Sequence, residues 1–159
     1  MGNPTSEDVP KARVTTPREY IEECLQVHNE LRTKHGSPPM AIKEEMCKIA
    51  QAWANHLTTI GKMEHSNTEG FGENIYWATN DPSARTAVEK WYSEIKDYNF
   101  ASASDQPQKG TGHFTQVVWK ESVELGVAKA TGAKGTYVVA VYAPQGNYMG
   151  EFKDNVCSK

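Results

Sequence analysis

Cysteine is scarce in this sequence: three residues in 159, at positions 24, 47 and 157. An odd and sparse set argues against a disulfide framework and fits a reducing compartment. No apolar stretch reaches 18 residues, so no segment reads as a membrane-crossing helix. The first twenty residues lack the apolar core of a secretory signal peptide. Basic charge is in deficit too, 17 Lys and Arg against 20 Asp and Glu, a net charge of -3. Without a basic field, phosphate-driven nucleic-acid binding is not expected. Two hydrolase signatures, H-E-x-x-H and G-x-S-x-G, are missing, and there is no internal repeat.

What is present reads as one domain. Met1-Gly2-Asn3-Pro4-Thr5-Ser6 fits the myristoylation pattern, with glycine second and serine at the required offset. Residues 1–15 are expected to be a flexible tail, acylated at Gly2, and residues 16–159 the folded domain. One acyl chain supports only marginal membrane binding, so a second contact is needed. Thr16-Pro17-Arg18-Glu19 resembles a capping box opening a first helix. Ile21, Cys24, Leu25, His28 and Leu31 then form its apolar stripe, which stops at Gly36. Residues 43–60 predict a second helix with Met46, Ala50, Trp53 and Leu57 on one face and Gly61 as its stop. Asp81-Pro82 opens a third, burying Ala84, Ala87, Val88, Trp91 and Ile95. Residues 114–119, 125–130 and 136–143 read as strands, the last two joined by a hairpin. Helices first and strands later predict an α+β domain around an antiparallel sheet.

The loops are dense in chemically able side chains. His65 and Glu73 fall in or beside the loop over residues 62–72, and His113 lies at the end of a second loop. Glu94 sits on the buried flank of the third helix, where a lone carboxylate costs several kcal/mol without a partner. Two imidazoles and a carboxylate make a first shell for zinc or another divalent cation. The histidines are 48 positions apart, so spacing leaves both readings open: a shared site, or separately hydrogen-bonded loop residues. His28 reads as a satisfied core histidine and His35 as a helix C-terminal cap.

Four motifs bear on that choice. Gly112-His113-Phe114-Thr115-Gln116-Val117-Val118-Trp119 resembles the most specific signature of the CAP superfamily (cysteine-rich secretory proteins, antigen 5, pathogenesis-related 1). His28-Asn29-Glu30-Leu31-Arg32, Gly72-Glu73-Asn74-Ile75 and Tyr142-Ala143-Pro144-Gln145-Gly146-Asn147 agree with it and occur in the family's order. Residues 91–100 and Gly2 are similar to a Golgi-associated branch of that family. The resemblance implies a three-layer α-β-α sandwich with a central antiparallel sheet, and a cleft where His65, Glu73, Glu94 and His113 meet. His65 and His113 would be ligands to zinc or another divalent cation. The polar residues of positions 28–32 would tie helix to loop. Ala140 stands where secreted members carry cysteine, which removes a disulfide position.

Two functional classes follow. The first is a non-enzymatic binding module, peripheral on the cytosolic face of Golgi-like membranes. The resemblance implies anionic lipids or sterols as ligands, protein partners and a homodimer; Lys90, Lys96 and Lys109 are candidate contacts. A cytoplasmic location, or export by an unconventional route, is the alternative. The second class is a zinc-dependent hydrolase or protease, with Glu73 or Glu94 as general base; Ser66 and Ser93 are candidate nucleophiles in a metal-free variant. The binding module is the favoured expectation, since catalytic zinc sites usually carry three protein ligands.

Overall fold

The computed structural model describes residues 11–101 and 104–159, and Gly2 lies outside them. A four-stranded sheet forms the middle layer. It contains β1 (Ala41–Ile42), β2 (Gly72–Ala78), β3 (Glu124–Gly132) and β4 (Gly135–Ala143), in the order β1-β3-β4-β2. The β2–β4 and β4–β3 pairs are antiparallel, as expected; β1 adds a short parallel pairing to β3 that the sequence did not announce.

On one face lies α2 (Glu44–Ile60), whose Met46, Ala50, Trp53 and Leu57 meet Tyr137, Val139 and Val141. The other face carries α1 (Arg18–Thr33), α3 (Ala84–Tyr92) and α4 (Gly112–Val118), packed on Val138, Ala140 and Tyr142. Alternate residues of β4 thus feed two cores, which explains why it reads as an unbroken apolar run. Helix α2 lies so close to the sheet that a side chain at Gly126 would collide with the backbone of Met46. Gly61 ends α2 in the left-handed region at φ 66°, as its position predicts. A short helix, α5 (Phe152–Asn155), closes the chain.

Three expectations change. Residues 114–119 are not a strand but the body of α4. The β-branched Thr115, Val117 and Val118 suggest a strand, yet Phe114, Val117 and Val118 are buried at helical spacing. Strand β2 fills the stretch between the loop over residues 62–72 and the third helix, to which the sequence reading gave no element. The capping box does not form: Pro17 is the N-cap of α1 and no side chain caps it. Thr16 Oγ1 instead donates to Gln51 Oε1 at 2.7 Å and accepts the Lys129 N–H at 2.9 Å, pinning the chain to α2 and β3. Residues 11–15 also run along α2, with Ala12 N–H on Lys48 O and Thr15 N–H on Gln51 Oε1.

Candidate functional site

The site is assembled around α4, a helix too short to hold itself. At its start, Glu94 Oε1 accepts the backbone N–H groups of His113 and Phe114 at 2.9 and 3.0 Å. At its other end, Arg32 Nη1 donates to Val117 O and Trp119 O at 3.0 and 2.8 Å. A carboxylate at the N-terminus and a guanidinium at the C-terminus both suit the helix dipole. Arg32 is fully buried with no carboxylate partner among the described residues; its remaining bonds go to Pro38 O and Lys120 O. Burial lowers its pKa to about 10. Asn29 bridges to Met40 through both atoms of its amide. The polar residues of positions 28–32 therefore bind helix to loop, as expected.

Glu94 is not on α3, where periodicity puts it, but in the 3-10 turn Ser93–Asp97 that follows. Besides capping α4, its Oε2 accepts from His113 Nδ1 at 2.8 Å. Across the cleft, Glu73 on β2 accepts from His65 Nδ1 at 2.8 Å and from the Ser66 N–H at 3.0 Å. Ser66 Oγ donates to the other Glu73 oxygen at 2.7 Å. The four residues line one cleft of about 300 Å³ together with Asn74 and Asn147. A second, polar pocket of about 510 Å³ opens beside it, over Ser66, Phe71 and Gln145.

A carboxylate only accepts, so each ring carries a proton on Nδ1, and the neutral imidazole then has its lone pair on Nε2. No hydrogen bond engages either Nε2 among the described residues. This is the carboxylate–histidine arrangement that orients metal ligands. The Glu73 hydrogen bond also raises the pKa of His65, against the opposing effect of burial. The donor set fits a divalent ion held by two imidazoles, with water completing its shell. Among the described residues no group of three or more His, Cys, Asp and Glu side chains forms a metal cage. The carboxylates face the rings, not a common centre.

Beneath the cleft runs a buried chain that sequence reasoning missed. His28 Nδ1 donates to Cys24 O at 2.8 Å, so Nε2 accepts the Tyr142 hydroxyl at 2.7 Å. Asn74 Nδ2 donates to that hydroxyl and to His113 O, both at 3.2 Å. The family motifs at positions 28, 74, 113 and 142 thus meet in one network, and His28 is the satisfied core histidine it was expected to be. Burial lowers its pKa to about 4. His35 departs from expectation: its side chain bridges Cys157 O and Tyr92 Oη instead of capping α1. Ser93 donates to Lys90 O within its own turn. Its hydroxyl and that of Ser66 both donate to oxygen acceptors, and neither is hydrogen-bonded to an imidazole among the described residues.

Comparison with known proteins decides the lineage. The model described as "CAP: Cysteine-rich secretory protein family" matches residues 25–142. This chain belongs to the CAP family. It is 40% identical to human Golgi-associated plant pathogenesis-related protein 1, over 87% of this chain and 93% of that protein. Pathogenesis-related protein 1 of Arabidopsis thaliana is 36% identical, with 90% and 85% covered. A crystal structure of NaASP2 with Zn2+ superposes at a TM-score of 0.74 and 27% identity, covering 91% of this chain and 87% of that one. This CAP chain holds its three cysteines free, Cys24 and Cys47 buried and Cys157 half-buried. No helix among its described residues is long and apolar enough to cross a membrane.

Proposed function

We propose that this CAP chain is a non-enzymatic binding module that sits peripherally on the cytosolic face of Golgi-type membranes, anchored by an acyl group on Gly2. Its ligands are anionic lipids or sterols, and His65 and His113 hold zinc or another divalent cation in the cleft through Nε2. One observation carries the preference for binding over catalysis: both cleft carboxylates are already tied to the cleft's own rings and backbone. Glu73 accepts three hydrogen bonds, from His65, the Ser66 N–H and the Ser66 hydroxyl. Glu94 likewise accepts three, from the His113 ring and two backbone N–H groups. Carboxylates committed in this way orient rings and hold loops, which favours a binding role for the cleft over that of a general base. The 40% identity to a human relative named for the Golgi supports the location.

The test is a hydrolysis assay of purified protein with zinc against peptide and ester libraries, beside the His65→Ala/His113→Ala variant. Equal rates at the level of buffer are expected. Turnover that the double variant abolishes would overturn the proposal in favour of a zinc hydrolase.

A further inference from the structure

The chain ahead of α1 is clipped to α2 at three levels. The Thr15 and Thr16 N–H groups meet Gln51 Oε1 at 3.2 and 3.1 Å, and the Ala12 N–H meets Lys48 O at 3.2 Å. Lys11 Nζ then reaches Glu45 Oε2 at 3.1 Å. Positions 45, 48 and 51 share one side of a helix, so residues 11–16 form a strap running parallel to α2. Its upper anchor is buried at Thr16 and Gln51, and Val14 packs against the core. The exposed Lys11–Glu45 pair adds little by itself. The ten residues before Lys11 therefore start from the N-terminal end of α2, about 9 Å along that helix from Gln51.

That end of the sandwich is also the cleft's. Ile42, Leu125, Tyr142 and Gly72 form one row across the four strands. Ile42 lies two residues before α2, and Gly72 directly precedes Glu73 of the cleft. The β3–β4 hairpin is at the far end, where Gly132 meets Thr58 and Lys134 meets Gly61 past the last turn of α2. Three exposed large apolar side chains also belong to the cleft end. Val123 directly precedes β3, with its N–H on Ala143 O, and Tyr148 and Met149 follow Asn147 of the cleft lining.

Reach then decides which end can face a bilayer. From Gly2 to Lys11 is nine residue steps, at most about 30 Å, whereas a domain of this length is about 40 Å across. With the hairpin end down, the strap's exit would stand farther from the bilayer than Gly2 can reach. With the cleft end down, it lies beside the surface. Released as far as Pro17, the chain would gain about 20 Å of reach and either end could face the bilayer. We infer that residues 11–16 are an orienting strap, which turns the end carrying His65 and His113 toward a phospholipid bilayer. The inference rests on the acyl-anchor reading above and adds to it a fixed facing.

The experiment tethers the full chain to phosphatidylcholine vesicles through a maleimide lipid at Gly2→Cys, with Cys157→Ser directing the coupling; Cys24 and Cys47 are buried. Facing is thus read whether or not cells acylate Gly2, and the intact mass of the natural chain reads acylation. Hydrogen exchange compares the tethered with the free chain. Exchange over residues 120–124 and 144–150 should slow about threefold or more on tethering, while residues 131–135 stay unchanged. Two variants should bring both ends to equal exchange. One is Gln51→Leu, which removes the strap's acceptor. The other inserts about ten Gly and Ser residues between Pro10 and Lys11 and leaves every contact of the strap in place; should Gln51→Leu fail to fold, this chain decides alone. Protection at the hairpin, or at both ends alike, would overturn the inference, as would cleft-end protection that survives the spacer. A natural chain lacking the acyl mass, beside a tethered chain that faces its cleft end to the vesicle, would strike the acyl reading alone.

Discussion

Glu94 holds His113 twice: one carboxylate oxygen takes the ring Nδ1 at 2.8 Å, and the other takes the backbone N–H of the same residue at 2.9 Å. A single side chain thereby fixes both the start of α4 and the direction of the imidazole it carries. Structure and site are coupled through this contact, and its removal separates them.

Glu94→Gln keeps an acceptor for the backbone N–H groups and loses the charge that orients the ring. Zinc affinity should fall about 10–100-fold, the usual cost of losing a partner behind a ligating histidine. Stability should fall by only about 1 kcal/mol. Calorimetry beside urea unfolding checks both; unchanged zinc affinity would show that Glu94 serves the fold alone.

Arg32 anchors the opposite end of α4. Arg32→Met fills most of the same space but removes the donor to the carbonyls of Pro38, Val117, Trp119 and Lys120, of which Trp119 O keeps the Ser122 N–H. A stability loss of about 3–5 kcal/mol is expected, in line with removing the donor of a buried charged network. Chemical unfolding measures it, and a loss under about 1 kcal/mol would contradict the clamp.

The core histidine makes stability depend on pH in a stated direction. His28 has its pKa lowered to about 4 from 6.5, chiefly by burial. Between those values the unfolded chain binds a proton that the folded chain refuses, so stability falls as pH drops from 6.5 toward 4. The contribution reaches about 3 kcal/mol by the lower bound. His65 acts the other way: its pKa is raised, so its contribution is present below 6.5 and is lost as pH rises through the folded value. Unfolding followed from pH 7 to pH 4 should steepen with acid in the wild type and flatten in His28→Gln. An equal slope in both would contradict the assignment.

Much of this was legible in the sequence, for physical reasons. Helix α2 announces itself by an apolar face and a glycine stop, and the β3–β4 hairpin by its apolar runs around Thr131–Gly135. Helix α4 was not legible, because its β-branched residues favour a strand locally and its ends are held by Glu94 and Arg32, both far away in sequence. The two-residue β1 is below any periodicity. For the cleft, composition and spacing gave candidates without a geometry; family motifs brought His65, Glu73, Glu94 and His113 together. Neither source showed that the acids serve the rings and the loops, since that depends on which oxygen meets which hydrogen.

The proposed membrane anchor is an acyl group on Gly2. Gly2→Ala removes the acceptor of the acyl group, so the chain should shift from the membrane fraction to the soluble one in cells, and its intact mass should lack one myristoyl group. Partitioning unchanged by the substitution would refute acylation as the anchor.

The most direct measurement of the cleft's role is zinc titration by calorimetry across pH, with wild type and His65→Ala/His113→Ala side by side. Zinc affinity should fall as acid protonates the imidazoles and protons compete for Nε2, with the raised pKa of His65 moving the onset above the ordinary histidine range, while the double variant should show no binding at that site. Affinity that is independent of pH, or that survives in the double variant, would contradict the account.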